Sequence, residues 1–209
     1  MKEMRKPIII IEHLEPEFSI WLFLEYRHSS LIYGSDYIWY TSLPLRYHKI
    51  MKKYGKTYEE SIIDLVKQGY VDENKIIILD PAAEEKLSFK DLVENDYVII
   101  GGILGDHPPR KRTEALLSKR LRNVKRRNIG DGQYSIDGAV YFVNSLWYNK
   151  SSEKIQYIDG VTLETEYGYI RLPFRYPIID GKPLLSSELV EYLKTGRIPE
   201  NIKKELGLT

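Results

Sequence analysis

Short aliphatic runs recur along the first part of the chain, separated by longer stretches in which apolar positions return at helical spacing. Residues 7–11, 75–79 and 96–100 are almost wholly aliphatic after their first residue, as strands covered on both faces of a parallel sheet are. Residues 37–41 alternate aromatic and aliphatic side chains and predict one more strand. Residues 18–33 are apolar enough for a mostly buried helix, and another helical pattern runs over 44–54. Thr57 with Glu60 has the form of a capping box, which predicts a helix from there to Gly69. Pro108 and Pro109 end the fourth run, residues 112–121 read as an amphipathic helix, and 123–129 as a short strand. Ser135 opens a helix carrying Ala139, Val140, Phe142, Val143 and Leu146. After Lys150 the texture changes: 154–158 and 167–173 predict antiparallel strands or extended arms, and 186–194 and 199–206 two closing helices. The alternation predicts an α/β fold around a parallel sheet over residues 1–150, with 151–209 as a small C-terminal β/α extension packed on it.

Composition narrows the chemistry. A chain of 209 residues with 43% hydrophobic content can bury one sizeable core. Its 31 basic and 30 acidic residues leave a net charge of +1, so only a local patch can attract a polyanion. The absence of cysteine excludes disulfides, thiolate zinc sites and a cysteine nucleophile. The apolar run near the start is too short for a signal segment and no stretch is long enough to span a membrane, so a cytoplasmic protein without membrane contact is expected. Histidines 13, 28, 48 and 107 share no metal-ligand spacing, and a metal-free site is expected.

Open α/β sheets bind ligands beyond the carboxyl ends of their strands, so the segments after the aliphatic runs are where chemistry belongs. Three stand out. The first is Leu79-Asp80-Pro81, the second Gly101-Gly102-Ile103-Leu104-Gly105-Asp106-His107, and the third runs from Ile129 and Gly130 through Gln133, Ser135 and Asp137 to Ala139. Glycines let the backbone approach a planar ligand and offer it N–H and C=O groups, while Ile103 and Leu104 supply apolar surface. Gly130, Gly132 and Ser135 mimic a dinucleotide fingerprint, but the residues before them are basic rather than aliphatic, against a Rossmann site. No phosphate-loop, HExxH or GxSxG signature occurs.

The run Gly101-Gly102-Ile103-Leu104-Gly105-Asp106-His107-Pro108-Pro109-Arg110, with Arg112-Thr113 beyond it, resembles the archaeal and eukaryotic SPOUT methyltransferase family whose fungal member methylates an arginine of a ribosomal protein. Glu12-His13, Glu25-Tyr26, Leu79-Asp80-Pro81, Ile129-Gly130-Asp131 with Gln133, and Pro173-Phe174-Arg175-Tyr176 extend the resemblance in order along the chain. The resemblance implies a SPOUT-type parallel sheet with a deep trefoil knot between about residues 75 and 145. It also implies S-adenosyl-L-methionine as cofactor, with S-adenosyl-L-homocysteine as product. The pocket would be built from Leu79, Asp80, Pro81, Gly101, Gly102, Ile103, Leu104, Gly105, Ile129, Gly130, Gln133, Ser135, Asp137 and Ala139.

An arginine acceptor holds its proton with a pKa above ~12, so its site needs carboxylates that fix the fork and accept that proton. Glu12, Asp106 and His107 are the catalytic candidates, with Glu25 and His13 as further ones. The expected partner is a ribosomal protein. RNA is the alternative acceptor, because the stretch that opens at Arg110 and closes at Arg127 is strongly basic and suits an RNA contact. A third reading is a regulator that binds the cofactor without catalysis. Both a monomer and a homodimer through the knot are compatible with the residues.

Overall fold

The computed structural model describes residues 4–104, 117, 119–166 and 168–208. In chain order its elements are β1 Ile8–His13, α1 Ile20–Tyr33, β2 Ile38–Thr41, α2 His48–Met51, β3 Lys56–Thr57, α3 Ile62–Lys67, β4 Ile76–Leu79, α4 Phe89–Glu94, β5 Tyr97–Gly102, β6 Lys125–Arg127 and α5 Ile136–Asn149. The C-terminal part adds β7 Tyr157–Thr165, β8 Gly168–Ile179, β9 Lys182–Pro183, α6 Ser187–Thr195 and α7 Glu200–Leu206.

Strands β1 to β6 form one parallel sheet in the order β3-β2-β1-β5-β4-β6. Strand β1 is central, with Ile10 opposite Trp39 of β2 and Ile99 of β5. The aliphatic runs are explained by burial on both faces. Ile9, Ile11, Ile77 and Val98 enter the larger core with α1 and α5, whereas Ile10, Ile76, Ile78 and Ile99 enter a second core with α3, Leu117 and Leu121. Each fully buried aliphatic side chain contributes roughly 1.5–3 kcal/mol, so neither face could be polar without losing its helix layer.

Ser19 caps α1 by accepting from the Leu22 N–H at 3.2 Å, and Ser135 caps α5 through the Gly138 N–H. Two expected helices were redrawn by tertiary contacts. Residues 44–54 hold a single short turn, Leu45–Tyr47, and the one-turn α2. Thr57 does not start a helix: it pairs with Tyr40 as part of β3, and the cap passes to Ser61, which accepts from the Asp64 N–H at 3.1 Å. Both Ser61 and Thr57 carry cap chemistry, and the free edge of β2 decided which was used. The expected helix over 112–121 lies largely outside the described residues.

The C-terminal hairpin is antiparallel and longer than the sequence pattern suggested, with Val161 opposite Leu172 and a bulge between Asp159 and Val161. Leu172, Phe174 and Tyr176 pack with Trp21 of α1, while Leu189 of α6 and Ile202 of α7 join the main core. Arg27 of α1 bonds Glu188 at 3.0 Å and faces Glu205 at 3.4 Å.

Edge strand β6 is basic, and its charges are answered within the fold. Arg127 meets both oxygens of Asp91 at 3.0 and 3.1 Å and lies 3.0 Å from Glu85, while Lys125 reaches Glu94 at 3.0 Å. Asp91 also completes the capping box of α4 with Ser88. Burial pushes the Asp91 carboxyl up, but hydrogen bonds from Arg127 and Ser88 outweigh it and hold the group below its usual value. Asp91→Ala is therefore expected to cost about 2–3 kcal/mol, because it removes a cap and strands a half-buried guanidinium. Urea unfolding checks this, and a change below about 0.5 kcal/mol, the size typical of a plain surface site, would contradict it.

Candidate active site

At the carboxyl edge of the sheet three loops converge, because β4 lies between β5 and β6. The loop after β4 is stitched to β6 and its continuation: the Asp80 N–H donates to the Arg127 carbonyl at 2.9 Å, and the Leu87 N–H donates to the Asn128 carbonyl at 2.8 Å. After β5 the Leu104 N–H donates to the Glu15 carboxylate at 2.9 Å. Beyond β6, Gly130 and Gly132 take φ values of +103° and +101°, which disfavour any residue with a Cβ, and the chain then enters α5 through Ser135. Among the described residues a Cβ placed on Gly130 would meet nothing nearer than the Tyr134 hydroxyl at 4.0 Å, so toward them that face of the loop stands open.

The structure gives the sequence candidates unequal parts. Glu12, 2% exposed, lies near the end of β1 and accepts from the Thr41 hydroxyl, the Ser42 hydroxyl at 2.6 Å and the Ile62 N–H at 2.9 Å. Those bonds fasten β1 to β2 and to the start of α3. Burial pushes its carboxyl above the usual value against three hydrogen bonds that lower it. Asp80 was expected to line the cofactor pocket. It is buried and holds Arg126 at 2.8 Å, with its other oxygen accepting from the Ala82 N–H at 2.9 Å.

Gly102 was expected to be a glycine for the cofactor. Its missing side chain instead makes room for the Tyr26 hydroxyl, and a Cβ there would also lie 2.8 Å from the Glu12 carbonyl oxygen. Leu79, Ile129, Ser135, Asp137 and Ala139 are buried, and Gly101, Ile103, Leu104, Gly130 and Gln133 are half-buried along the loops, with Pro81 exposed. Gly105, Asp106 and His107 lie outside the described residues.

His13 pairs with Gly102 in register and bonds the Tyr26 hydroxyl at 3.1 Å. Burial pushes its pKa down to about 4, so it stays neutral near pH 7.

Beneath the third loop lies a polar group of which the sequence pattern revealed only half. Glu25 of α1 accepts from Trp21 at 2.6 Å and from the N–H of Ile136, the first residue of α5, at 3.1 Å. Asp137 accepts from the Ser135 hydroxyl at 2.6 Å and the Gly138 N–H at 2.8 Å, and its other oxygen meets His28 at 2.7 Å. Tyr176 of β8 buries its hydroxyl close by without a hydrogen-bond partner among the described residues. Burial, reinforced by the Asp137 carboxylate, raises the Glu25 pKa to about 8. Trp21, Glu25 and His28 sit three or four residues apart on α1, a spacing that could have shown them to share a face. Arg175 of β8 clamps the loop from outside, donating to the Asp131 carbonyl and forking onto Asp159 at 2.7 and 2.8 Å, while its backbone N–H donates to the Gln133 carbonyl at 2.7 Å.

Solved structures share this fold. Dual-specific Trm10 from Thermococcus kodakaraensis matches with a TM-score of 0.55 at 22% identity, over 71% of this chain and 96% of that one. The parallel sheet with its looped carboxyl edge is thus the fold of SPOUT-class methyltransferases. Yeast arginine methyltransferase SFM1 complexed with SAM matches more fully, with a TM-score of 0.80 at 28% identity over 91% of each chain. Its complex with SAH gives 0.79 over 90% of this chain and 94% of that one. In sequence, protein arginine N-methyltransferase SFM1 of Saccharomyces cerevisiae is 30% identical over 205 residues, 88% of this chain and 93% of the yeast protein. The chain belongs to the family described as protein arginine N-methyltransferase SFM1-like, whose model matches residues 8–199.

Two predictions test the site's internal supports. Gly102→Ala is expected to destabilise the fold by about 1–3 kcal/mol through overpacking, and adding Tyr26→Phe should recover part of the loss; denaturation midpoints of both variants decide it. The folded protein keeps the Glu25 proton up to about pH 8, whereas an unfolded chain releases it near ~4.3. The folded state then binds more protons across that window, so the contribution of Glu25 is full below it and is lost as pH rises through it. Glu25→Gln should flatten the fall in stability between those pH values, and a melting profile as steep as the parent's would refute the assignment.

Proposed function

We propose that the protein transfers a methyl group from S-adenosylmethionine to the guanidinium of an arginine in a ribosomal protein. Its membership of the SFM1-like family, with near full-length likeness to a yeast enzyme solved with SAM, carries the reading. When bound, the cofactor supplies a methyl group made electrophilic by the sulfonium. Leu79, Pro81, Gly101, Ile103, Leu104, Ile129, Gly130, Gln133 and Ala139 are the residues proposed to hold it, and the open face of Gly130 with the apolar side chains around it suits a flat, weakly polar ring.

Orientation is most of what the protein contributes to such a transfer. Asp80, Ser135 and Asp137 are proposed to serve by shaping the loops, since each already holds a neighbouring element. Glu12 and Glu25 support the same edge from below. Asp106 and His107, which follow the second loop in sequence, are the pair proposed to face the acceptor, where a carboxylate fixes the guanidinium fork and accepts the departing proton. The reading carries with it the trefoil knot between about residues 75 and 145. It is supported by β6, later in the chain than β5, lying on the far side of β4. RNA as acceptor has less support, because Lys125, Arg126 and Arg127 are all engaged by carboxylates.

Incubation with methyl-labelled cofactor and ribosomal fractions is the test. Label is expected in nuclease-resistant protein and, after hydrolysis, in methylated arginine. Label confined to nuclease-sensitive material overturns the protein-arginine reading. Measurable binding of S-adenosylhomocysteine with no transfer at all overturns catalysis and leaves a cofactor-binding regulator.

A further inference from the structure

The segment between Arg46 and Lys56, which no part of the proposed site uses, carries a cluster of exposed cations. Arg46, Lys49, Lys52, Lys53 and Lys56 fall there with no carboxylate between them. All five are exposed, and none makes an ion pair among the described residues. They differ in this from the cations of β6, each of which faces Asp80, Asp91, Glu85 or Glu94. Like charges this close repel, and the one carboxylate of the described residues that shares the cleft of Lys52 and Lys56 is Asp36, which makes no ion pair with them. Such a surface is complementary to a polyanion.

Its setting says which kind. The segment runs along the free edge of the sheet, where β3 pairs only with β2. Aromatic rings are interleaved with the cations: Arg46 lies 4.8 Å over Tyr47, and Lys56 lies 4.9 Å over both Trp39 and Tyr58. Beside Lys52 and Lys56 is a cleft of about 630 Å³, lined also by Ser35, Asp36, Trp39 and Thr57. That is within the ~300–1,000 Å³ range of small-ligand clefts and large enough for one nucleotide. At the other end Tyr47 packs on Phe18 at 4.8 Å, and Phe18 on His13 at 5.5 Å, so the stripe begins next to the candidate active site.

We propose that this stripe docks single-stranded RNA, with the cations on successive phosphates and the cleft, where Trp39 is accessible to a base, taking one nucleotide. Charge alone would suit an acidic protein equally. The Trp39 ring in the cleft suits a base, and the Asp36 carboxylate beside it can accept from a ribose 2′-hydroxyl, which a peptide does not offer. Double-stranded nucleic acid would bury its bases away from the rings. The inference rests on charge and shape and stands apart from the methyl-transfer reading.

Fluorescence anisotropy with a labelled mixed-sequence RNA of about 20 nucleotides, at about 50 and 200 mM salt, tests it. Lys52→Glu/Lys56→Glu and, separately, Lys49→Glu/Lys53→Glu are each expected to weaken binding about tenfold or more and to flatten its salt dependence. Lys154→Glu, exposed and far along the chain, should leave binding within about twofold, and all variants should keep the parent's melting temperature and its affinity for S-adenosylhomocysteine. Unchanged RNA affinity in both double variants overturns the proposal, even if the parent binds RNA elsewhere. It is equally overturned by DNA of the same length binding as tightly as the RNA, or by polyglutamate outcompeting it. Loss of S-adenosylhomocysteine binding in the parent would count against the methyl-transfer reading alone.

Discussion

Carboxylates buried at the carboxyl edge of the sheet must each find donors, and the donors they find decide where the surrounding chain goes. Glu12, Glu25, Asp80 and Asp137 are each no more than 2% exposed. An unpaired charge in such places would cost several kcal/mol, so every one of them is a joint rather than a decoration. Glu12 fastens the central strand to β2 and α3, and Asp80 fastens β4 to the basic strand β6. Glu25 and Asp137 fasten α1 to the first turn of α5. The strand order brings the three loops together, and these links hold their neighbouring elements in place.

The same constraint explains the C-terminal part. The hairpin covers the third loop through Arg175, which grips its backbone from outside while Tyr176 lies against the Glu25 and Asp137 carboxylates within. Its closing helices complete the hydrophobic layer over α1. The loop at Gly130 is therefore held between a polar group below and a clamp above, with an open face between them. A loop so held is preorganised, which is what an orientation-dependent methyl transfer asks of a protein.

Charge divides along equally physical lines. The run near Arg126 looks basic in sequence, yet its described strand is neutral in effect because carboxylates from α4 and from the loop between β4 and α4 lie opposite. The cations between Arg46 and Lys56 are no denser in sequence, and among the described residues they form no ion pair, the segment ending in β3, the strand at the sheet's edge. Two basic segments of similar appearance thus have opposite roles.

The elements with a two-sided hydrophobic requirement were legible from composition of the runs alone: β1, β4 and β5 are aliphatic because both faces are covered, α1 is marked by its apolar density and α5 by the Ser135 that opens it. The three ligand-side loops could be placed because they follow those runs, and the family was legible in the glycine and proline residues after β5. Where two local signals competed, as at Thr57 and Ser61, the chain alone could not choose, since the choice lay with the open edge of β2. The reasons behind individual residues were hidden for the same cause. That Gly102 yields space to Tyr26, that Asp80 holds Arg126, and that His13 is buried against the Tyr26 hydroxyl are consequences of neighbours distant in sequence. Periodicity and motif report what a residue requires of its surroundings; only the folded chain decides which partner, some tens of residues away, meets the requirement.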